Sequence, residues 1–116
     1  MKTAFLMFNY EKNGKPNMPV MFHALLFASE MKAKGDDVKI ILEGEAVKWA
    51  KDLLSEDHPL KNHFEKLKDD FVACEACSSM FGVLDDIKDE IKIESDLHGH
   101  VSLKGYMDED YKVVEF

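Results

Sequence analysis

Short apolar runs, each followed by a stretch of helical periodicity, are the feature that most constrains the fold of this chain. The first run, residues 3–8, lacks the alternation of polar and apolar residues that a half-exposed strand shows. A continuous run of this kind predicts a strand buried on both faces, as in a parallel sheet covered by helices. Further strands are predicted at residues 38–42, 71–74, 91–93 and 111–116.

Helical segments separate these runs. One helix is predicted from Pro19, a favoured first-turn residue, to a stop at Gly35. Others are predicted at residues 46–54, from Pro59 to Leu67, at 77–81 and at 101–107. Strands that alternate with helices predict an α/β chain with a mainly parallel five-stranded sheet. Its three α/β/α layers would resemble those of flavodoxin.

The length of 116 residues predicts one domain, residues 1–116, built on a single core. Hydrophobic residues make up 46% of the chain and charged residues 33%, a balance typical of a globular protein. The helix after Pro19 has an apolar face widened by Phe22, Leu26 and Phe27. This face is broader than one sheet surface covers, which predicts contact with another subunit and hence a homo-oligomer.

Charge and hydropathy argue against several partners. A net charge of −8 disfavours nucleic acid, because binding to phosphate backbones depends on clustered cationic side chains. The longest apolar stretch, residues 18–28, is interrupted by His23 and falls short of the roughly 20 residues of a membrane span. No cleavage site of a signal peptide follows the first apolar run. The expectation is a cytoplasmic protein without membrane or nucleic-acid partners.

Cys74 and Cys77 lie where a buried strand meets a predicted helix. Sites in parallel sheets form beyond the carboxyl ends of the strands, and a helix start favours a thiolate. Glu75, between the two cysteines, opposes that effect. His23 would reach Cys74 if the first and third strands are neighbours, and it is the predicted proton partner.

Three other interpretations of the cysteine pair stay open. A thioredoxin-like redox site is one, although all three prolines precede Cys74 and none faces the motif from a later strand. A zinc site formed by Cys74, Cys77, His98 and His100 is another, although the spacing is not that of a zinc ribbon or finger. The third is plain burial of two small apolar side chains. No glycine-rich phosphate loop is present, and no cofactor is predicted.

Three segments together match a known pattern: PVMFHALLFA at residues 19–28, MKAKG at 31–35 followed by VKIILEGEA at 38–46, and VACEAC at 72–77 continuing to Gly82 and Val83. On these segments the chain resembles the DsrE/DsrF-like family of small sulfur-relay proteins over essentially its whole length. The resemblance implies a DsrE-like fold, assembly as trimers or hexamers, and proteins that donate and accept sulfur as partners.

The resemblance also assigns roles to residues. In the family, a cysteine at the end of the third strand, followed by a short helix and a glycine, carries sulfur as a persulfide. Cys74 matches that position by its spacing to Gly82, and Cys77 is similar to a second cysteine found in some members. The leading hypothesis is therefore a sulfurtransferase-like persulfide carrier in which Cys77 resolves the persulfide and His23 is the proton partner. The alternative is a non-catalytic homo-oligomeric binding module that holds a metal or a partner at the same edge.

Overall fold

A five-stranded parallel sheet forms the centre of the molecule in the computed structural model, which describes residues 1–116. In chain order the strands are β1 (Lys2–Met7), β2 (Glu11–Lys12), β3 (Lys15–Pro16), β4 (Asp37–Leu42), β5 (Phe71–Cys74), β6 (Lys92–Glu94) and β7 (Lys112–Glu115). The main sheet has the order β6-β5-β4-β1-β7, and each of its neighbouring pairs is parallel. Strands β2 and β3 form a separate antiparallel hairpin.

Six helices cover this sheet. They are α1 (Met18–Ala33), α2 (Lys48–Leu54), α3 (Lys61–Glu65), α4 (Glu75–Met80), α5 (Leu84–Ile87) and α6 (Leu103–Asp108), with 3₁₀ turns at Gly44–Val47 and Lys68–Asp70. The steps from β1 to β4, β5 and β6 all run in one direction across the sheet, so right-handed crossovers bring α1 to α5 to one face. The return from β6 to β7 brings α6 to the other face. The predicted three-layer α/β fold is confirmed.

The core lies between the sheet and the larger helical layer. All four residues of β5 are buried, and the ring of Phe71 meets that of Phe64 at 5.1 Å between centroids. Trp49 of α2 is fully buried, and its indole Nε1–H donates a hydrogen bond of 2.9 Å to the Asn9 carbonyl. This bond ties α2 to the loop that leaves β1, on the same edge of the sheet as the carboxyl end of β5.

Four helix starts differ from the prediction by two residues: α2 and α3 begin two residues later than predicted, and the starts of α4 and α6 differ for reasons that the hydrogen bonds give. Helix α4 begins at Glu75 rather than at residue 77, because the Cys74 sulfur accepts the Cys77 N–H and caps the helix. Helix α6 begins at Leu103 rather than at residue 101, because Ser102 Oγ accepts the Gly105 N–H at 3.2 Å. The β2–β3 hairpin and α5 were not predicted either, since both are short and polar.

Helix α1 has 16 residues, yet neither it nor any other helix is both long and apolar enough to cross a membrane. Its buried face comprises Met21, Ala24, Leu25 and Ala28. On the opposite side the side chains of residues 26 and 27, a leucine and a phenylalanine, are each 43% exposed. The contact with a second subunit that this apolar surface suggested stays a prediction.

Candidate functional site

Cys74 is the last residue of β5, between β4 and β6 in the sheet, and its side chain is fully buried. Its backbone is still extended (φ −69°, ψ 126°), and its Sγ accepts the Cys77 N–H at 3.4 Å. One turn of α4 brings Cys77 back to the same side, because residues three apart share a helix face. The two thiols therefore lie 3.3 Å apart.

A tight turn after β6 closes over the cysteines. Leu97 and His100 exchange two backbone hydrogen bonds of 2.8 and 2.9 Å, and Gly99 sits between them with a φ of +90°. The Gly99 carbonyl accepts the Ala76 N–H at 2.8 Å, which anchors the turn to α4. A side chain at Gly99 would be strained in that conformation and would meet Ala76 Cβ at 3.4 Å.

The turn places His100 next to both sulfur atoms. Its Nδ1 lies 3.2 Å from Cys74 Sγ and 3.6 Å from Cys77 Sγ. In the tautomer that carries its proton on Nε2, the ring accepts a hydrogen bond from a thiol at Nδ1. His100 is thus in position to take a proton from Cys74.

Glu43, the residue after β4, completes the cluster. Its Oε2 accepts a hydrogen bond from the Cys77 thiol at 3.4 Å and lies 3.8 Å from His100 Nδ1. Its Oε1 accepts the Val101 N–H at 3.0 Å, which fixes the orientation of the carboxylate. Glu43 was not among the site residues predicted from the sequence, although its place at the carboxyl end of a strand next to β5 was a usable signal.

Burial dominates the acidity of Cys74. Loss of hydration raises the pKa of its thiol to about 12, and the neighbouring Glu43 carboxylate contributes in the same direction. The hydrogen bond from the Cys77 N–H acts the other way, because it favours the thiolate. Near neutral pH Cys74 is therefore a thiol, and it becomes a nucleophile when a base such as His100 removes its proton.

Of the three histidines predicted to lie at the site, the structure brings one to the cysteines. His100 joins the cysteines, but His98 is exposed and stands outside the cluster of potential ligands, so the predicted set Cys74, Cys77, His98 and His100 is wrong in that member. His23 is exposed on α1, and its Nδ1 lies 2.7 Å from the Pro19 carbonyl. Strand β4 separates β1 from β5, so the condition for His23 to reach Cys74 is not met.

An apolar groove of about 240 Å³ runs along the cluster. Its lining residues are Leu6, Phe8, Ile41, Glu43, Leu97, His100, Val101 and Leu103. Two of them, Glu43 and His100, also contact the thiols. Because the His100 side chain is 44% exposed while Cys74 is fully buried, a small reagent approaches the sulfur atoms from the histidine side.

Replacing Glu43 by glutamine is expected to increase the alkylation rate of the thiols by about threefold or more, because the neighbouring negative charge is removed. The amide oxygen of the glutamine can still accept the Val101 N–H, so the position of the side chain is kept. The pH profile of alkylation should shift to lower pH. Intact mass after timed exposure to iodoacetamide measures this rate. Glu45→Gln is the control, since Glu45 pairs with Lys48; equal rates in the two variants would contradict the role given to Glu43.

Comparison with known proteins gives a consistent assignment. The model of the DsrE/DsrF-like family matches residues 2–116. A protein of Methanocaldococcus jannaschii named "Uncharacterized protein MJ0733" is 68% identical over 115 residues, covering 99% of this chain and 95% of its own length.

Two solved structures share the fold at low sequence identity. The Bacteroides thetaiotaomicron protein BT1422 has a TM-score of 0.66 at 19% identity, with 97% of this chain and 94% of its own covered. The Methanobacterium thermoautotrophicum protein MTH1491 has a TM-score of 0.67 at 15% identity, with 99% and 98% covered. Both are described as proteins of unknown function, and at these identities they show the fold alone.

Proposed function

Because the chain belongs to the DsrE/DsrF-like family, we propose that it is a sulfur-relay protein that carries sulfane sulfur as a persulfide on Cys74. The observation that carries this proposal is the position of the Cys74 thiol. Cys74 is the last residue of β5, and its thiol lies 3.2 Å from a ring nitrogen of His100 and 3.3 Å from the second thiol, Cys77. A base within reach of Cys74 serves the uptake of sulfur, and a second thiol within reach provides one route for its release.

Uptake begins when His100 Nδ1 accepts the Cys74 proton. The thiolate then attacks a sulfane sulfur atom of a polysulfide or of a persulfide on a donor protein. A sulfur–sulfur bond forms at Cys74 while one in the donor breaks, and the donor leaves as a thiolate or a shortened polysulfide. No net oxidation occurs, because the sulfane sulfur only changes partners.

Release follows one of two routes. A thiolate on an acceptor protein takes the outer sulfur, which restores the Cys74 thiol. Alternatively the Cys77 thiolate, its proton passed to Glu43, attacks Cys74 Sγ and expels hydrosulfide. In that route two thiols are oxidised to a disulfide, the sulfane sulfur is reduced to sulfide, and an external thiol must then reduce the Cys74–Cys77 disulfide.

The proposal is tested by intact mass after incubation with a polysulfide in the presence of a chelator. While polysulfide is in excess, wild-type protein is expected to gain one sulfur atom or more, and peptide mapping is expected to locate it on Cys74. In the Cys74→Ser variant, Cys77 is expected to gain sulfur much more slowly than Cys74 does in the wild type, because Cys77 Sγ is farther from His100 Nδ1. Equal sulfur uptake by wild type and Cys74→Ser would contradict the proposal.

A further inference from the structure

Four potential metal ligands converge beyond the carboxyl ends of β4, β5 and β6. Glu43 Oε2, Cys74 Sγ, Cys77 Sγ and His100 Nδ1 all lie within 4.8 Å of one another. Two thiols, an imidazole nitrogen and a carboxylate oxygen are the donor types that Zn²⁺ takes in proteins. We propose that this cluster is a tetrahedral site for a thiophilic divalent cation, Zn²⁺, with all four side chains as ligands.

The distances between the donor atoms carry the proposal. Zinc bonds of about 2.3 Å to sulfur and about 2.0–2.2 Å to nitrogen or oxygen require donor separations of roughly 3.4–3.8 Å in a tetrahedron. Five of the six edges come within a few tenths of an ångström of that range, and the sixth is bounded by 4.8 Å. The five are Cys74 Sγ to His100 Nδ1, 3.2 Å; Cys74 to Cys77 thiol, 3.3 Å; Cys77 Sγ to Glu43 Oε2, 3.4 Å; Cys77 Sγ to His100 Nδ1, 3.6 Å; and Glu43 Oε2 to His100 Nδ1, 3.8 Å.

The ligands are held in place by their surroundings, as in sites that bind metal tightly. The Val101 N–H holds the second oxygen of Glu43 and leaves Oε2 directed at the sulfur atoms. The bond from the Ala76 N–H to the Gly99 carbonyl fixes the turn that carries His100. The cation therefore needs little rearrangement of these elements when it enters from the exposed side of His100.

This site is independent of the sulfur-relay proposal, since it needs only the four donor atoms. As Zn²⁺ binds, each thiol releases a proton to solvent and forms a bond to the metal, and no redox change occurs. The ion occupies both thiolates, so sulfur uptake and zinc binding exclude each other at this site.

The test uses the reduced full-length chain, freed of metal by a chelator and then titrated with Co²⁺. We expect one Co²⁺ per chain, with the visible absorption of a tetrahedral ion and the near-ultraviolet charge-transfer band of cobalt–thiolate bonds. Added Zn²⁺ should abolish both signals, and its affinity follows from competition with a chromogenic chelator. If the charge-transfer band is absent, or the spectrum is the weak one of an octahedral ion, the bound cobalt is an adventitious ion only and the proposal is overturned.

Variants assign the ligands. We expect His100→Ala and Glu43→Gln each to weaken Zn²⁺ binding at least about tenfold, because each removes a ligand. His98→Ala is the matched control, two residues away on the exposed side of the same turn, and is expected to bind as wild type does. Comparable loss in His98→Ala and His100→Ala would overturn the proposed ligand set. If the protein forms a sulfur adduct in the presence of a chelator but binds no zinc in the titration, this site is refuted and the relay proposal stands.

Discussion

Replacing Cys77 by serine is expected to turn a short-lived persulfide on Cys74 into one that persists after the sulfur donor is removed. In the wild type the second thiol lies 3.3 Å from Cys74, placed for attack on it. Well-oriented groups within one molecule react as if present at about 10⁵–10⁸ M, so an external thiol at millimolar concentration replaces Cys77 poorly. Loss of hydrosulfide should slow by about a hundredfold or more.

Sulfide release after removal of excess polysulfide measures this effect, with the Cys74 adduct followed by intact mass in parallel. Uptake should remain close to that of the wild type, since His100 still contacts Cys74. The control is Ser79→Ala on the same helix, which leaves both thiols in place. If the adduct decayed as fast in Cys77→Ser as in the wild type, Cys77 would have no part in its release.

Replacing Trp49 by alanine is expected to lower the midpoint of thermal unfolding by roughly 10–20 °C, which corresponds to about 3–5 kcal/mol of unfolding free energy for the cavity left by a large buried ring. The ring is fully buried, meets Tyr10 edge-on at 5.0 Å between centroids, and holds the Asn9 carbonyl through its N–H. Circular dichroism on heating checks this outcome.

The Trp49→Phe variant separates packing from the hydrogen bond. It keeps most of the apolar ring and leaves the Asn9 carbonyl without its donor, which should cost about 1–2 kcal/mol. The alanine variant must therefore be the less stable of the two by a clear margin. Equal midpoints would show that the hydrogen bond, rather than the ring, accounts for the role of Trp49.

The buried strands were predictable because their apolar runs are local, and so was the placing of Cys74 at the end of one of them. The start of α4 was not, because cysteine is not among the residues that usually cap helices, and its sulfur took that place here. Capping at Cys74 therefore starts the helix two residues earlier than the pattern indicated.

The ligand set was harder to predict because it depends on contacts between distant segments. Glu43 meets Cys77 across 34 residues of sequence, and only the adjacency of β4 and β5 brings them together. The choice between His98 and His100 depends on backbone rather than residue type. Residue 98 has a φ of +50° and Gly99 one of +90°, and the turn they form leaves His98 outside and directs His100 to the sulfur atoms.

The Cys74 sulfur both performs chemistry and begins a helix, and this dual use decides how the residue can be studied. Alanine would remove the reactive atom together with the acceptor of the Cys77 N–H, at a cost of about 1 kcal/mol at the first turn of α4. Serine offers an oxygen that is itself a favoured helix cap, so it deletes the reactivity and spares the architecture. A change in behaviour on serine substitution can then be assigned to lost sulfur chemistry rather than to a frayed helix.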